Sequence, residues 1–430
     1  MESFFKRHKI RFCIVFFSFL AALFFSIWLI NRARLNNKVY LVRSSAEDIK
    51  SLPYLGWYST EKTGEKSGVT LYNRKKAFKG INIYCPRNLS TAYLMDMRGK
   101  ILHKWSVRLK KHNSWTHVKM LKTGDLLALV TEKKLIKLDW GSNVQWAKKM
   151  RIHHDIAVDD DDDIWVISRK EKVVFIFGFP VPILDDYITV LSSHGEIKKN
   201  FSLFKVLREK ITFDRVAKIY RFLIDPKNRK VLLKRKNRGE FIFGESTPVD
   251  LFHTNSIEII KNDVSGLAKK NDILISLREL DLIGIVDLEE GRLVWSWGQG
   301  ILNKPHHPTL LANGNILVFD NGFDRKYSRV IELDPLTNQI VWECKADGQG
   351  YQFFTDTRGA SQRLPNGNTL ITVSNKGYVF EVTINKEVVW EFYNPETKGK
   401  ERSAIYRMIR ISDPDNYPVL KKLGLNFKNL

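Results

Sequence analysis

Four histidines recur at one position of a repeated sequence pattern. His117, His154, His253 and His307 each stand directly before a short segment that is predicted to form a β-strand. The chain has only 10 histidines among 430 residues, so this repetition is far above chance. A neutral imidazole can act as a nucleophile, transfer a proton or bind a metal ion near pH 7. If the four strands are equivalent, their histidines meet in a common site.

Metal binding is the competing use of these histidines, because imidazole suits several transition metals. No carboxylate accompanies them at ligand spacing in the sequence, so a metal-dependent hydrolase is the weakest interpretation. We therefore expect neither a metal nor a cofactor, and we interpret the acidic run Asp159–Asp163 as a turn. The three cysteines form no Cys-x-x-Cys pair, which excludes a zinc ribbon and a disulfide framework.

A closing unit, made of a polar turn and a strand that carries an aromatic residue, occurs six times. Short strands with regular turns and a repeated aromatic residue are typical of a β-propeller, in which each copy is one four-stranded blade. The sequence therefore predicts an all-β, six-bladed β-propeller in which each tryptophan packs as a wedge between blades. The closing aromatic residues are Trp105, Trp146, Phe201, Trp295, Trp342 and Trp390.

The two ends of the repeat region complement each other. The first copy, Gly80–Trp105, has no inner strand before it, and the last copy is followed by a strand-like segment at 404–411. Pairing these segments would close the ring and remove its edge strands. Because inner strands line the channel of a propeller, the recurring histidines are predicted to share one funnel.

A basic insertion at 198–245 interrupts the repeats. Between residues 198 and 240 there are fifteen Lys or Arg residues against four acidic residues, and apolar residues follow a helical spacing. We predict one or two basic amphipathic helices here. They either pack as a solvated face on the propeller, or they rest on anionic lipid headgroups or guard the cavity entrance.

The N-terminal region contains a candidate membrane span. Phe12–Ile30 is an uncharged run of 19 residues, long enough to cross a bilayer as a helix. We interpret it as a signal anchor that follows a cytoplasmic tail at 1–11, although a cleaved signal peptide is the alternative. The protein would then be a single-pass membrane protein, with its propeller on the periplasmic or extracytoplasmic side.

The remaining segments follow from this division. Residues 31–75 are predicted to be a linker and strap, residues 76–415 the propeller, and residues 416–430 a C-terminal tail. The formal net charge of +23 implies attraction to anions, but it does not choose among lipids, acidic glycans, nucleic acid and sulfated small molecules.

Three short motifs in the second half of the chain point to one family when taken together. They are His-Thr-Asn-Ser-Ile from His253, Ser-x-Arg at Ser276–Arg278 and Phe-Asp-Asn-Gly at Phe319–Gly322. With these motifs the chain resembles the bacterial arylsulfotransferases that are independent of a nucleotide sulfate donor. The resemblance extends from about residue 67 to Trp390, and it too implies a six-bladed propeller.

The resemblance implies catalytic roles for four residues. In that family a histidine shortly before Phe-Asp-Asn-Gly takes the sulfuryl group covalently, and the matching position here is His307. The two other histidines and the arginine of the family fall on His154, His253 and Arg278. The histidines would transfer protons or hold the sulfuryl group, and the guanidinium would stabilise the charge on its oxygens.

The resemblance also implies the substrates. It predicts a membrane-anchored sulfotransferase that moves a sulfuryl group from a phenolic sulfate ester to a hydroxyl acceptor through a sulfohistidine, in a ping-pong sequence. His306, which stands where the family usually has glutamine, and Asn255 are expected to bind substrate.

A different class of function stays open. The chain could be a non-catalytic membrane-anchored scaffold whose basic insertion binds anionic ligands or partner proteins. We expect no nucleic-acid partner in either case, and the sequence predicts no oligomeric state.

Overall fold

Each repeated copy folds as an antiparallel meander, and six such sheets form the blades of a propeller. The computed structural model describes residues 57–59, 66–108, 114–224, 249–345 and 353–425. Within these ranges the prediction of an all-β, six-bladed propeller is confirmed.

In each of the first three blades, four strands follow one another from the channel outward. Blade one consists of Ile405–Ile411, Ile81–Pro86, Thr91–Met95 and Ile101–Ser106. Blade two consists of His117–Met120, Leu126–Val130, Lys134–Leu138 and Val144–Lys149. Blade three consists of Ile152–Val158, Ile164–Ile176, Phe179–Leu191 and Ile197–Ser202, with the short strand Val249–Asp250 added beside Phe179–Leu191.

The last three blades repeat the arrangement. Blade four consists of Thr254–Ile259, Ile273–Leu277, Leu282–Asp287 and Arg292–Trp297. Blade five consists of His306–Leu310, Ile316–Asp320, Arg329–Asp334 and Gln339–Lys345. Blade six consists of Ala360–Arg363, Thr369–Val373, Tyr378–Val382, Val388–Tyr393 and an outer fifth strand, Gly68–Tyr72.

Short helices and one small sheet complete the described structure. The small sheet joins Trp57–Ser59, Glu401–Ser403 and Thr397–Lys398. The α-helices are Leu203–Leu207, Phe213–Ile224 and Pro418–Lys422. Single 3₁₀ turns occur at Arg208–Lys210, Arg278–Leu280, Ser374–Lys376 and Pro414–Asn416.

The polar residue at the end of each third strand explains why the closing turns form. In blades four and five, Asp287 and Asp334 each accept backbone N–H groups from residues two and three positions later. These Asx turns give the chain a local alternative to the strand ladder, so the strand stops there and reverses.

The tryptophans tie neighbouring blades together, as predicted. Trp146, Trp295, Trp342 and Trp390 each donate the indole N–H to a backbone carbonyl in the closing turn of the next blade, at 2.8 to 3.2 Å. Trp105 differs, because its indole nitrogen has no hydrogen-bond partner among the described residues. There His103 makes the equivalent bond instead, at 3.0 Å to the carbonyl of Trp140.

Both ends of the repeat region build blade one. The innermost strand, Ile405–Ile411, pairs antiparallel with Ile81–Pro86, which confirms the predicted closure of the ring. A buried ion pair reinforces the closure, because Arg410 of blade one bonds Glu381 of blade six and both side chains are fully buried.

The second and third strands of blade three are 13 residues long and project as a hairpin. Phe175, Phe177 and Phe179 at its tip are 74%, 56% and 45% exposed. The helix Phe213–Ile224 lies beside the tip, where the Phe213 ring meets that of Phe177 and the Tyr220 hydroxyl donates to the Pro180 carbonyl. We call Phe175, Phe177, Phe179 and Phe213 the aromatic tip.

The predicted membrane span Phe12–Ile30 lies outside the described residues, as do residues 225–245 of the predicted basic insertion. Of that insertion, residues 198–202 belong to an outer strand of blade three, and two helices follow them. In the part of the chain that the structure describes, we find no helix with the length and apolar character needed to cross a membrane.

Candidate functional site

Three successive inner strands share one backbone irregularity at their histidines. His154, His253 and His307 adopt left-handed φ values of 57°, 49° and 48°. The pairing with the neighbouring strand shifts register at the same point in each blade. A positive φ is uncommon for a residue with a side chain, and bulges re-aim side chains near functional sites. The same local device therefore directs all three histidines.

His153, His154 and His253 meet at one point, and we call them the histidine cluster. The Nε2 atoms of His154 and His253 are 2.9 Å apart, and those of His153 and His253 are 3.4 Å apart. His154 lines the channel and keeps some solvent exposure, although protein surrounds it on most sides. Two of the four residues with expected catalytic roles, His154 and His253, are thus in direct contact.

Each ring of the cluster is supported from behind through its Nδ1 atom. His253 Nδ1 lies 2.6 Å from Asp250 Oδ2, and His154 Nδ1 lies 3.0 Å from the Tyr406 hydroxyl. His153 Nδ1 lies 3.1 Å from Glu132 Oε1, although the ring N–H does not point along this contact. The orientation of the three rings is therefore fixed by their neighbours.

The charged groups behind the histidine cluster offset one another. Burial opposes the ionisation of Asp250, but Arg169 and His253 hold its pKa well below the usual range. Burial lowers the pKa of His153 to about 3, and burial together with the neighbouring imidazoles also lowers the pKa of His154. These two rings are therefore neutral at pH 7, and each carries one nitrogen lone pair.

His306 lies near the histidine cluster, with its ring centroid 6.2 Å from that of His154. Burial and the nearby Arg278 lower its pKa. Both of its nitrogens are engaged: Nδ1–H donates to Asn321 Oδ1 at 2.6 Å, and Nε2 accepts the backbone N–H of Arg358 at 3.2 Å. His306 is thus held firmly, and Asn321 of the Phe-Asp-Asn-Gly motif does part of this work.

A cavity of about 790 Å³ occupies the channel along the C-terminal halves of the inner strands. We call it the channel cavity. Its polar wall residues include His117, Lys119, Asp155, Glu258, His307 and Arg407. A cavity of this size can enclose a drug-sized aromatic ligand.

His307 faces the channel cavity, unlike its neighbour His306. Its Nδ1–H donates to the backbone carbonyl of Ser361 at 2.9 Å, which fixes the proton on that nitrogen. Nε2 has no hydrogen-bond partner among the described residues. Burial and the nearby Arg407 lower the pKa of His307, so the ring is neutral. The structure thus presents one imidazole lone pair to the cavity.

An ion pair stands beside His307. Arg407 donates two hydrogen bonds to the Asp155 carboxylate, at 3.0 and 3.2 Å, and His117 Nε2 lies 3.4 Å from the same carboxylate. Although burial opposes its ionisation, Arg407 and His117 keep the pKa of Asp155 below its usual range. Tyr406 lies between this group and the histidine cluster, with its ring 5.3 Å from His117.

Asn255 and Ser276 position the backbone before the blade-five histidines. Asn255 Nδ2 and Ser276 Oγ both donate to the carbonyl of Pro305, each at 2.9 Å. Asn255 is fully buried, and its Oδ1 has no hydrogen-bond partner among the described residues. Asn255, which was predicted to bind substrate, therefore uses its amide N–H to hold the loop that carries His306 and His307.

Comparison with known proteins decides the family. A family model described as Arylsulfotransferase (ASST) matches residues 117–395, which is more than half of the chain. The chain belongs to the arylsulfotransferase (ASST) family. It is thus an arylsulfotransferase-like enzyme, in a family that acts on phenolic sulfate donors and acceptors. No curated protein matches the chain.

Several solved structures are similar to this member of the family at low sequence identity. A crystal structure of a protein of unknown function from Bacteroides caccae has a TM-score of 0.50 and 16% identity, covering 77% of this chain and 99% of that one. A streptogramin B lyase structure has a TM-score of 0.43 and 11% identity, covering 82% and 97%. A catalytically inactive virginiamycin B lyase from Staphylococcus aureus has a TM-score of 0.41 and 10% identity, covering 80% and 88%.

The structure adds residues to the candidate site that sequence reasoning missed. They are His153, Glu132, Asp155, Asp250, Tyr406 and Arg407. The sequence offered a signal for His153 and Asp155, because they directly flank the candidate residue His154. Tyr406 and Arg407, from the closing strand Ile405–Ile411, had no such signal.

Protonation of His117 in this arylsulfotransferase is expected to destabilise the fold. Burial lowers its pKa to about 3, against about 6.5 for a free imidazole. Between these values the unfolded chain binds a proton that the folded chain does not bind. His117 should therefore lower the free energy of unfolding by about 1.4 kcal/mol per pH unit as the pH falls below about 6.5.

A His117→Gln variant isolates this effect. We expect the difference in unfolding free energy between wild type and variant to shift against wild type as the pH falls from about 7.5 to 4.5, measured by urea denaturation. A difference that stays constant over this range would contradict the assignment.

Proposed function

We propose that the protein transfers a sulfuryl group from a phenolic sulfate ester to a hydroxyl acceptor through a sulfohistidine at His307. Family membership supports the class of reaction. The observation that carries the choice of residue is the partner-free Nε2 of His307 on the channel cavity, with the proton fixed at Nδ1 by Ser361. His306 is a poorer nucleophile, because both of its nitrogens already have hydrogen-bond partners.

In the first half-reaction the His307 lone pair forms an N–S bond and the bond between sulfur and the phenolic oxygen breaks. The phenolate leaves with the electron pair and takes up a proton. Negative charge on the sulfuryl oxygens requires cationic groups nearby. Arg407 and Lys119 are basic residues on the cavity wall. Arg278, which forms an ion pair with Glu279 and is not among the residues that line the cavity, remains our proposal for a further charge-stabilising group.

In the second half-reaction the acceptor hydroxyl attacks sulfur and the N–S bond breaks, which returns His307 to its neutral state. The acceptor proton must be taken up by a base, and the leaving phenolate must be given one. We propose His154 and His253 as these acid–base groups, or as groups that hold the sulfuryl oxygens. Their neighbours Asp250 and Tyr406 can stabilise either protonation state.

The activity is tested with nitrophenyl sulfate as donor and phenol as acceptor. The purified full chain should release nitrophenol faster when phenol is present, and phenyl sulfate should form in equal amount. Release that is independent of phenol, with inorganic sulfate as the product, would instead indicate hydrolysis. No release with a folded protein would favour the non-catalytic scaffold.

We propose further that the protein is anchored by Phe12–Ile30 and that the aromatic tip enters the membrane interface. Within the described residues, the phenylalanines of the aromatic tip are the only large aromatic side chains with such exposure. Aromatic side chains favour the level of the lipid headgroups. Lys170, on the same hairpin, is exposed.

A fluorophore at the tip should report on the bilayer. A Phe177→Cys variant, labelled with an environment-sensitive dye and reconstituted in vesicles, should show a blue-shifted emission that brominated lipids quench. Leu336→Cys is the matched control, since Leu336 is 61% exposed on a turn of blade five. Equal emission from both positions would rule out insertion of the tip.

A further inference from the structure

The histidine cluster holds two lone pairs that face each other. His253 Nδ1–H donates to Asp250, so its Nε2 carries a lone pair. The carboxylate of Glu132, 3.1 Å from His153 Nδ1, favours the proton on that nitrogen and leaves a second lone pair on Nε2. With the proton of each ring on Nδ1, no proton lies between these two Nε2 atoms, which are 3.4 Å apart. A cation between the rings would remove the repulsion.

The spacing of the nitrogens fits a metal ion. Metal-to-imidazole bonds of about 2.0–2.1 Å in a tetrahedral site place the nitrogens roughly 3.3 Å apart. The observed Nε2 separations of 2.9 and 3.4 Å bracket this value, and the ligand atoms of all three histidines lie within 4.8 Å of one another. Small rotations of the rings would complete the geometry and leave a fourth position open.

The atoms behind the rings also match those of a metal site. Histidines that bind metals usually direct the other ring nitrogen to a carboxylate, a carbonyl or a similar group, which fixes the ring and increases its basicity. Here the three partners are Glu132, Asp250 and the Tyr406 hydroxyl. Arg169 in turn bonds both carboxylates, so their positions are fixed as well.

We propose that His153, His154 and His253 bind one divalent transition-metal ion, with zinc as the best fit, and that the bound ion inhibits the enzyme. Neutral imidazoles suit zinc, copper and nickel. The inhibitory part rests on the proposed function, in which His154 and His253 transfer protons or hold the sulfuryl group. A metal ion occupies the same lone pairs, so metal binding and transfer exclude each other.

Binding is tested on the chelator-treated full chain by calorimetric titration with zinc chloride. We expect one ion per chain, and binding at least roughly tenfold weaker in a His153→Gln variant, which loses one ligand. His194→Gln is the matched control, because His194 is exposed on a turn of blade three; it should bind zinc as wild type does. Unchanged binding in His153→Gln would overturn the proposal.

A second measurement needs no variant. Cobalt(II) added to wild type should give visible absorption bands of a tetrahedral complex, and zinc should displace them. Octahedral, weakly absorbing cobalt would overturn the site.

The inhibitory role is tested in the transfer assay. Zinc should inhibit wild type, and at least a roughly tenfold higher zinc concentration should be needed to inhibit His153→Gln to the same extent. Binding without inhibition would overturn only the inhibitory role, and an inactive wild type that binds zinc would overturn the proposed function alone.

Discussion

Replacing His307 by alanine is expected to abolish transfer while leaving the protein folded. The side chain supplies the lone pair that forms the N–S bond, and removal of a covalent nucleophile lowers the rate on the order of 10³-fold or more. Intact-mass analysis after incubation with nitrophenyl sulfate should show the sulfuryl adduct on wild type and none on the variant. Nitrophenol release should fall in parallel.

Two further histidine variants sharpen this test. His306→Ala should still form the adduct, although more slowly, because we propose that His306 binds substrate and does not attack sulfur. His194→Ala is the neutral control, since His194 is exposed on a turn of blade three, away from the channel. Adduct on His307→Ala together with its loss on His306→Ala would transfer the nucleophile to His306.

The second large effect is expected on stability, from Glu381→Ala. Glu381 is fully buried, bonds Arg410 and also accepts the backbone N–H of Phe78 and the amide of Asn368. Removing it leaves a buried guanidinium without its charge partner. Loss of one member of a buried ion pair costs about 3–5 kcal/mol, and we expect the free energy of unfolding to fall by this amount.

Glu387→Ala is the matched control for this prediction. Glu387 forms an ion pair with Lys76 in which both side chains are 50% exposed. Exposed pairs contribute at most about 1 kcal/mol, so this variant should unfold close to wild type in urea. A similar loss in both variants would show that burial of the Arg410 pair does not matter.

The fold could be predicted from the sequence because its signals are local and repeated. Successive copies of the polar turn, the closing aromatic residue and the short strands lie about 40–55 residues apart, except across the basic insertion, and the tryptophan bonds only to the neighbouring blade. Even the ring closure could be predicted, since Gly80–Trp105 lacks an inner strand that residues 404–411 can supply. Repetition multiplies signals that are weak in one copy.

The site was only partly predictable, because its partners come from distant parts of the chain. His154 and His253 could be paired from the repeat register, and the structure brings them into contact. Tyr406 contacts His154 although the two residues are 252 positions apart in the sequence, and no local pattern predicts such a contact. The imidazole rings of His306 and His307 point toward different neighbours because one bonds Asn321 and the other bonds Ser361. The type and position of each histidine in the sequence do not reveal these partners.

The closing strand of blade one has a consequence for how the chain matures. Arg410 contacts Asn82 across 328 positions, so the ring stays open until residue 410 has been synthesised. Contacts of such range form late, and until then blade one presents an unpaired edge. The same strand carries Tyr406 and Arg407, so a chain truncated before it would lack both the closure and part of the channel wall. Closure of the ring and assembly of this part of the site are thus one event.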